Sequence, residues 1–229
     1  MSTSVDIGRV VHLPAPIGTR LHVTPRLMVV EAIDTLAIAS TAVLGGGIRL
    51  GRCIVSLRVS SDYAGRDPAG DIREAARREG WIADVGLMTA APLERAQVSV
   101  QSADGATVAA IVTAGVTRPW AAGSSQRSTA SAGTINVIAL VDTPLTAAAA
   151  LNVMTTVTEA KVLTLVEGGI TTLDGELASG TATDAVVVTC PGTGYEAAWK
   201  FGGPATPPGW AAAAATRAAL RLALAAGYA

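Results

Sequence analysis

Residues 133–169 read GTINVIALVDTPLTAAAALNVMTTVTEAKVLTLVEGG, and how they are read decides the fold. Thr134–Val141 is an apolar run interrupted only by Asn136, the pattern of a strand buried on both faces. Thr143-Pro144 then has the form of a helix start and Gly168-Gly169 of a stop, so a long helix follows the strand with little between them. Along that helix Asn152, Thr155 or Thr156, and Glu159 recur three or four apart and share one face. Such a polar stripe faces either solvent or the wall of a polar cavity.

Downstream, Ala185–Cys190 is a second continuous apolar strand, placing Asp184 at its entrance. Pro207-Pro208 opens an alanine-rich helix to Ala226, with Gly227 as its cap and Arg217 and Arg221 on one side. Upstream, Val108–Val116 pairs across the Asp104-Gly105 turn with a strand carrying Val98 and Val100. Gly86–Ala90 is a short buried strand. Asp67, Pro68 and Gly80 mark the N-cap, first turn and end of a helix whose inner face is Ile72, Ala75 and Ala76. Before it, Leu27–Val30, a polar break at Asp34-Thr35, and Leu36–Val43 read as a hairpin delivering Gly45–Gly47, with Cys53–Val59 as the next strand. Residues 1–25, with Pro14, Pro16 and Pro25, form an irregular or edge-strand lead-in, and the polar stretch 122–132 is a connector or a lid. The order of elements implies an α+β fold, with mixed or largely antiparallel sheets layered with outer helices in a single compact domain over residues 1–229, rather than alternating βαβ units.

Composition narrows the function classes. Of 229 residues half are apolar and 15% charged, and the net charge is −1. No basic run offers itself to nucleic acid or to an anionic membrane surface. The apolar segments are interrupted by Asn152, Glu159 and Lys161 or by Arg217 and Arg221, so no bilayer span is expected. The start shows no secretory pattern, which makes a cytoplasmic site the expectation. Cys53 and Cys190 have no CxxC spacing and read as buried reduced thiols. There is no GxGxxG or GK[ST] loop, and no His/Cys/Asp/Glu grouping has metal-ligand spacing, so neither a nucleotide cofactor nor a protein-bound metal is expected.

Four blocks carry the chemically capable side chains: Thr113-Ala114-Gly115-Val116, Gly133-Thr134-Ile135-Asn136, Glu159-Ala160-Lys161 and Gly180-Thr181-Ala182-Thr183-Asp184, with Leu44-Gly45-Gly46-Gly47 upstream. In this order they resemble the adenosylcobinamide amidohydrolase family of corrinoid salvage enzymes, over roughly residues 35 to 205. The resemblance implies hydrolysis of the amide joining the aminopropanol arm to the corrin ring, with cobalt entering only inside the substrate and the corrinoid as the small-molecule partner. A homo-oligomer is compatible with the sequence.

Amide hydrolysis needs a nucleophile or activated water, donors for the oxyanion, and an acid for the leaving amine. His12 and His22 lie outside the blocks, so the base has to be a carboxylate, a lysine or a terminal amine. The resemblance makes Thr134 and Thr181 candidate hydroxyls, Asn136 a candidate oxyanion donor, Glu159 or Asp184 the base, and Lys161 a charge stabiliser or acid. Gly45, Gly46, Gly47, Gly115, Gly133 and Thr183 are candidate substrate contacts. Where a GVSNA-like run is expected after Gly115-Val116, the chain has Thr117-Arg118-Pro119-Trp120. Arg118 and Trp120 thereby become candidates to meet a propionamide or phosphate and a corrin face, and the departure keeps a non-catalytic corrinoid binder in view. A self-processing threonine hydrolase is the third reading.

Overall fold

The computed structural model describes residues 2–4, 8, 10–13, 18–123, 133–193 and 198–227; Pro14 and Pro16 of the lead-in and residues 124–132 of the expected connector or lid lie outside the described residues. The elements run β1 (Ser2–Ser4), β2 (Val10–His12), β3 (Thr19–Val23), β4 (Leu27–Ser40), β5 (Gly47–Arg58), α1 (Pro68–Arg78), β6 (Val85–Thr89), a 3-10 turn (Leu93–Arg95), β7 (Gln97–Ala103), β8 (Ala106–Gly115), β9 (Pro119–Trp120), β10 (Thr134–Val141), α2 (Ala147–Glu167), β11 (Gly180–Thr181), β12 (Ala185–Pro191) and α3 (Pro207–Ala225).

Ten strands make one mixed sheet, with β9 and β11 forming a separate two-residue ladder. β4 is its spine. β5 runs along one edge of β4, while β3 takes residues 28–32 and β12 takes residues 36–40 of the other. The sheet continues from β12 through β10, β8 and β7 to β1. Among the strands of the described residues only β10–β12 and β5–β6 pair in parallel, and each pair is joined through a helix, α2 and α1 respectively. Two βαβ crossovers are therefore present inside the α+β fold, which the order of elements argued against.

Asp34-Thr35 does not break the strand. β4 spends five steps from Glu31 to Leu36 where β5 spends two, from Cys53 to Gly51, so the extra residues bulge and the ladder resumes. The hairpin lies one strand later than expected, between β4 and a β5 that starts at Gly47 rather than Cys53. Gly45 and Gly47 have φ of 70° and 96°, which suits the turn between them. α2 also begins later than Thr143-Pro144: Leu145 bridges to Trp199, and the Thr146 hydroxyl caps the helix by accepting from Ala149 N at 3.1 Å. The α1 and Asp104-Gly105 readings hold. Asp67 accepts from Gly70 N at 2.9 Å, and Asp104 and Gly105 take φ of 34° and 88°, as a two-residue hairpin requires.

One buried cluster includes Val30 and Ile38 of β4, Ile54 of β5, Leu87 of β6, Ile111 of β8, Ile138 of β10 and Val187 of β12, and none of the three α-helices contributes to it. A sheet face covered by no helix must curl to cover itself, and this one forms a half-barrel filled by its own side chains. The other face is covered in two places. Val137, Val186 and Val188 pack under Val153, Val157 and Leu165 of α2 and Ala212, Ala219 and Leu220 of α3, whereas Val29, Val55 and Leu57 pack under Ile72, Ala75 and Ala76 of α1. α2 is long and apolar enough to cross a bilayer by length and composition; its inner face packs on the sheet and α3, while Leu151, Leu163 and Val166 are exposed. Arg217 and Arg221 of α3 both grip Glu167 at the end of α2, the second at 2.8 Å.

Cys53 and Cys190 are buried and unpaired with each other. Burial first, then the charges of Asp84 and Glu31, push the Cys53 thiol from 9.0 up to about 12, and burial raises Cys190 as well. The fold therefore keeps a proton on Cys53 that the unfolded chain releases above pH 9. Neither thiol should react with a maleimide in the native state at pH 8, and both should react in denaturant. The Cys53 contribution to stability should be complete below pH 9 and fade as pH rises toward 12.

Candidate functional site

Two adjoining hollows of ≈ 560 and ≈ 620 Å³ open at one mouth of the half-barrel and share Ser60, Ser61, Ala90 and Gly133 in their walls. The first is walled by Thr41 and Val43 after β4, Ser60, Ser61 and Tyr63 after β5, Leu87–Ala90 at the end of β6, and the starts of β10 and β12. The second runs past Pro25, Arg58, Gly115 and Thr117.

The starts of β10 and β12 are brought together by the α2 crossover, which sets two neighbouring parallel strands in the register Asn136↔Ala185. Gly133–Asn136 thus lies beside Thr183-Asp184. Asp184 is the centre of the arrangement. Its Oδ1 accepts from Ile135 N at 2.9 Å and the Thr181 hydroxyl at 2.5 Å; its Oδ2 accepts from Thr181 N at 3.1 Å and Lys161 Nζ at 2.5 Å. Both side chains of the ion pair are about nine-tenths buried. Gly180 is what lets the ion pair close: a Cβ there would lie 2.3 Å from Asp184 Oδ2 and 2.6 Å from Lys161 Nζ.

A second string of groups runs along the floor. The Thr183 hydroxyl donates to Gly133 O at 3.2 Å and lies 2.6 Å from the Thr134 hydroxyl. The Thr181 hydroxyl has Gly133 O as an alternative acceptor at 3.0 Å. Gly133 holds this carbonyl in place with φ of 105°, and a Cβ at this position would come 2.6 Å from Gly115 O. Asn136, 2% exposed, donates its amide N–H to Met88 O at 2.8 Å, and its Oδ1 has no partner among the described residues. Its cross-strand neighbour Thr113 is equally buried with an unpartnered hydroxyl.

The structure therefore gathers Gly133, Thr134, Asn136, Lys161, Thr181, Thr183 and Asp184, and sets Gly115 in the adjoining hollow. It separates Glu159, which is exposed on α2, as are Asn152 and Thr155; Thr156 turns inward to donate to Gly202 O. The stripe faces solvent and is not a cavity wall. Gly45, Gly46 and Gly47 form the hairpin turn beside the cleft, and none of them is among its walls. Arg118 is exposed and Trp120 half-buried, and neither lines the two hollows. Trp120 O instead accepts from Ser179 N at 2.8 Å in the β9–β11 ladder, which clips this divergent segment to the Gly180 block.

Sequence reasoning missed Thr41, Ser60, Ser61, Tyr63 and Thr89. A cluster of hydroxyls directly after a buried strand, with one of only three tyrosines, was the available signal. The Tyr63 hydroxyl donates to Asp71. Desolvation first, then that bond and the charges of Asp71 and Asp67, push it up to about 12, so Tyr63 stays protonated and ties the loop to α1.

Comparison with known proteins bears on the family of the whole chain. A family model described as adenosylcobinamide amidohydrolase matches residues 15–229. A curated protein named adenosylcobinamide amidohydrolase, from Methanosarcina mazei, is 33% identical over 177 residues, covering 76% of this chain and 79% of its own.

Asp184→Asn should leave the Lys161 ammonium buried against a neutral amide and lower the unfolding free energy by about 3–5 kcal/mol. The drop is read from the denaturation midpoint at constant slope. Adding Lys161→Met should recover more than half of it.

Proposed function

The chain belongs to the adenosylcobinamide amidohydrolase family, and from that premise we propose that it hydrolyses the amide between the aminopropanol arm and the corrin ring, giving adenosylcobyric acid and 1-aminopropan-2-ol for return to coenzyme B12 synthesis. The observation that carries the residue assignment is the convergence of the Gly133 and Gly180 blocks with Lys161 around Asp184 at the floor of a wide hollow. In this reading the cobalt belongs to the substrate, and the adjoining hollows receive the macrocycle and its amide-bearing rim.

Water is the nucleophile. With Thr183 donating to Gly133 O, its oxygen accepts from Thr134, which leaves the Thr134 lone pairs free to hold a proton of a water in the cleft. Asp184 is the only carboxylate among the described residues lining the first hollow, and so is the group to take the other proton of that water. Its oxygens are fully engaged, and one donor has somewhere else to go: when the Thr181 hydroxyl turns to Gly133 O, a lone pair on Oδ1 is released. The water oxygen bonds to the acyl carbon, the C–N bond breaks, and the proton leaves on the amine nitrogen. Backbone N–H groups of Ile135 and Thr181 and the Lys161 ammonium hold the carboxylate in place through the cycle.

Purified protein should convert adenosylcobinamide to adenosylcobyric acid and free 1-aminopropan-2-ol, both identified by mass spectrometry. Tight binding without either product at high enzyme load would favour the non-catalytic binder. Thr181→Val should lower kcat by roughly 10²-fold, as expected for an impaired base, while Thr181→Ser keeps kcat within about threefold because its hydroxyl can still move between the two acceptors. Glu159→Gln, on the solvent side of α2, should leave kcat/KM within about twofold.

A further inference from the structure

Asn136 lines the first hollow beside Thr134 and Asp184, and the proposed reaction makes no use of it. Met88 O can only accept, so the Asn136 NH₂ must face it, and the direction of the amide is fixed by chemistry. Oδ1 is left as a buried acceptor with no partner among the described residues, on a side chain that is 2% exposed and lines the first hollow. Buried acceptors are almost always paired, and an exception calls for a functional explanation. Thr113 does not quench it, since its own hydroxyl is unpartnered too. What this floor lacks is a donor brought in from outside.

We infer that Asn136 Oδ1 accepts the N–H of the scissile secondary amide, making this side chain the residue that distinguishes an amide from other acyl bonds. The inference rests on the amidohydrolase reading. Thr134 and Asn136 are two apart on β10, so both side chains stand on the same face, about 7 Å apart along the strand. That spacing leaves room for an acyl carbon and its water between the group that orients the water and the group that holds the nitrogen. Holding the N–H also fixes the direction in which the nitrogen lone pair emerges as the acyl carbon becomes tetrahedral, so the arriving proton meets a lone pair and not the N–H. An ester has no such hydrogen and would turn an oxygen lone pair toward Oδ1. A site built around a hydrogen bond from its substrate rejects an analogue lacking it far more strongly than a shape-only site does.

The test compares adenosylcobinamide with its ester isostere, in which oxygen replaces the arm nitrogen. Asn136→Ala should lower kcat/KM on the amide by about 10²-fold and leave the ester within about threefold of wild type, since only the amide loses a partner. Taking the ratio of the two substrates cancels the higher intrinsic reactivity of the ester and any general loss of folded protein. Asn136→Ser, which leaves a smaller hole, should show the same split and carries the test if the alanine variant does not fold. Equal losses on amide and ester in both variants would overturn the role of Asn136 alone. Wild-type protein that leaves adenosylcobinamide intact would overturn the amidohydrolase reading itself.

Discussion

The ion pair between Lys161 and Asp184 is the constraint on which the rest of the site depends. Two charges taken out of water are stabilising only if every remaining lone pair is also met. Here three further donors, from two backbone N–H groups and one hydroxyl, complete the carboxylate shell. These donors belong to β10 and β11 and the ammonium to α2, so Asp184 cannot be satisfied unless three other segments of the chain are in register with it at once. Gly180 is bare at the point where a side chain would drive the pair apart. The site's geometry and a part of the fold's cooperativity thus rest on the same contacts.

The curled sheet supplies the space. One face of the half-barrel is filled by its own side chains, and the first hollow opens where the end of β6 meets the starts of β10 and β12. Among the described residues no strand pairs with the second edge of β6; Leu44 bridges Gly86 there through two backbone hydrogen bonds, and Asn136 adds a side-chain bond to Met88 O. Small residues do much of the rest: Ser60, Ser61, Ala90 and Gly133 stand where the two hollows meet, with Tyr63, Leu87 and Met88 as the larger groups of the first.

Much of this was legible in the chain because it is written in local chemistry. The α1 caps, the Asp104-Gly105 turn and the strands at 134–141 and 185–190 each follow from a short pattern, and the glycine-flanked blocks did mark the residues that converge. What was not legible depends on partners. The bulge in β4 exists only against β5, so Asp34-Thr35 looked like an end when it is a detour. Glu159 and Lys161, two apart on a helix, had to face opposite ways, but which of them turned inward is set by how α2 lies on β12. The helix turned its lysine in because the carboxylate needing it arrives from Asp184, 23 residues later.

That arrangement also shows how a site without histidine can answer to the charge of the reaction. Lys161 and Asp184 are neutral as a pair, which suits a neutral amide and holds no excess charge in the resting cleft. In the proposed mechanism, once Asp184 takes a proton from the attacking water, the ammonium is left uncompensated in a water-poor environment, at the stage when the substrate carbonyl oxygen has become an anion. The positive charge is present in the transition state and masked in the ground state. An interaction distributed in this way lowers the barrier without tightening the hold on substrate, which is what differential binding requires of a catalyst. A lysine exposed in the cleft would attract the product carboxylate as strongly as it assisted the reaction, and keeping Lys161 behind Asp184 avoids that retention.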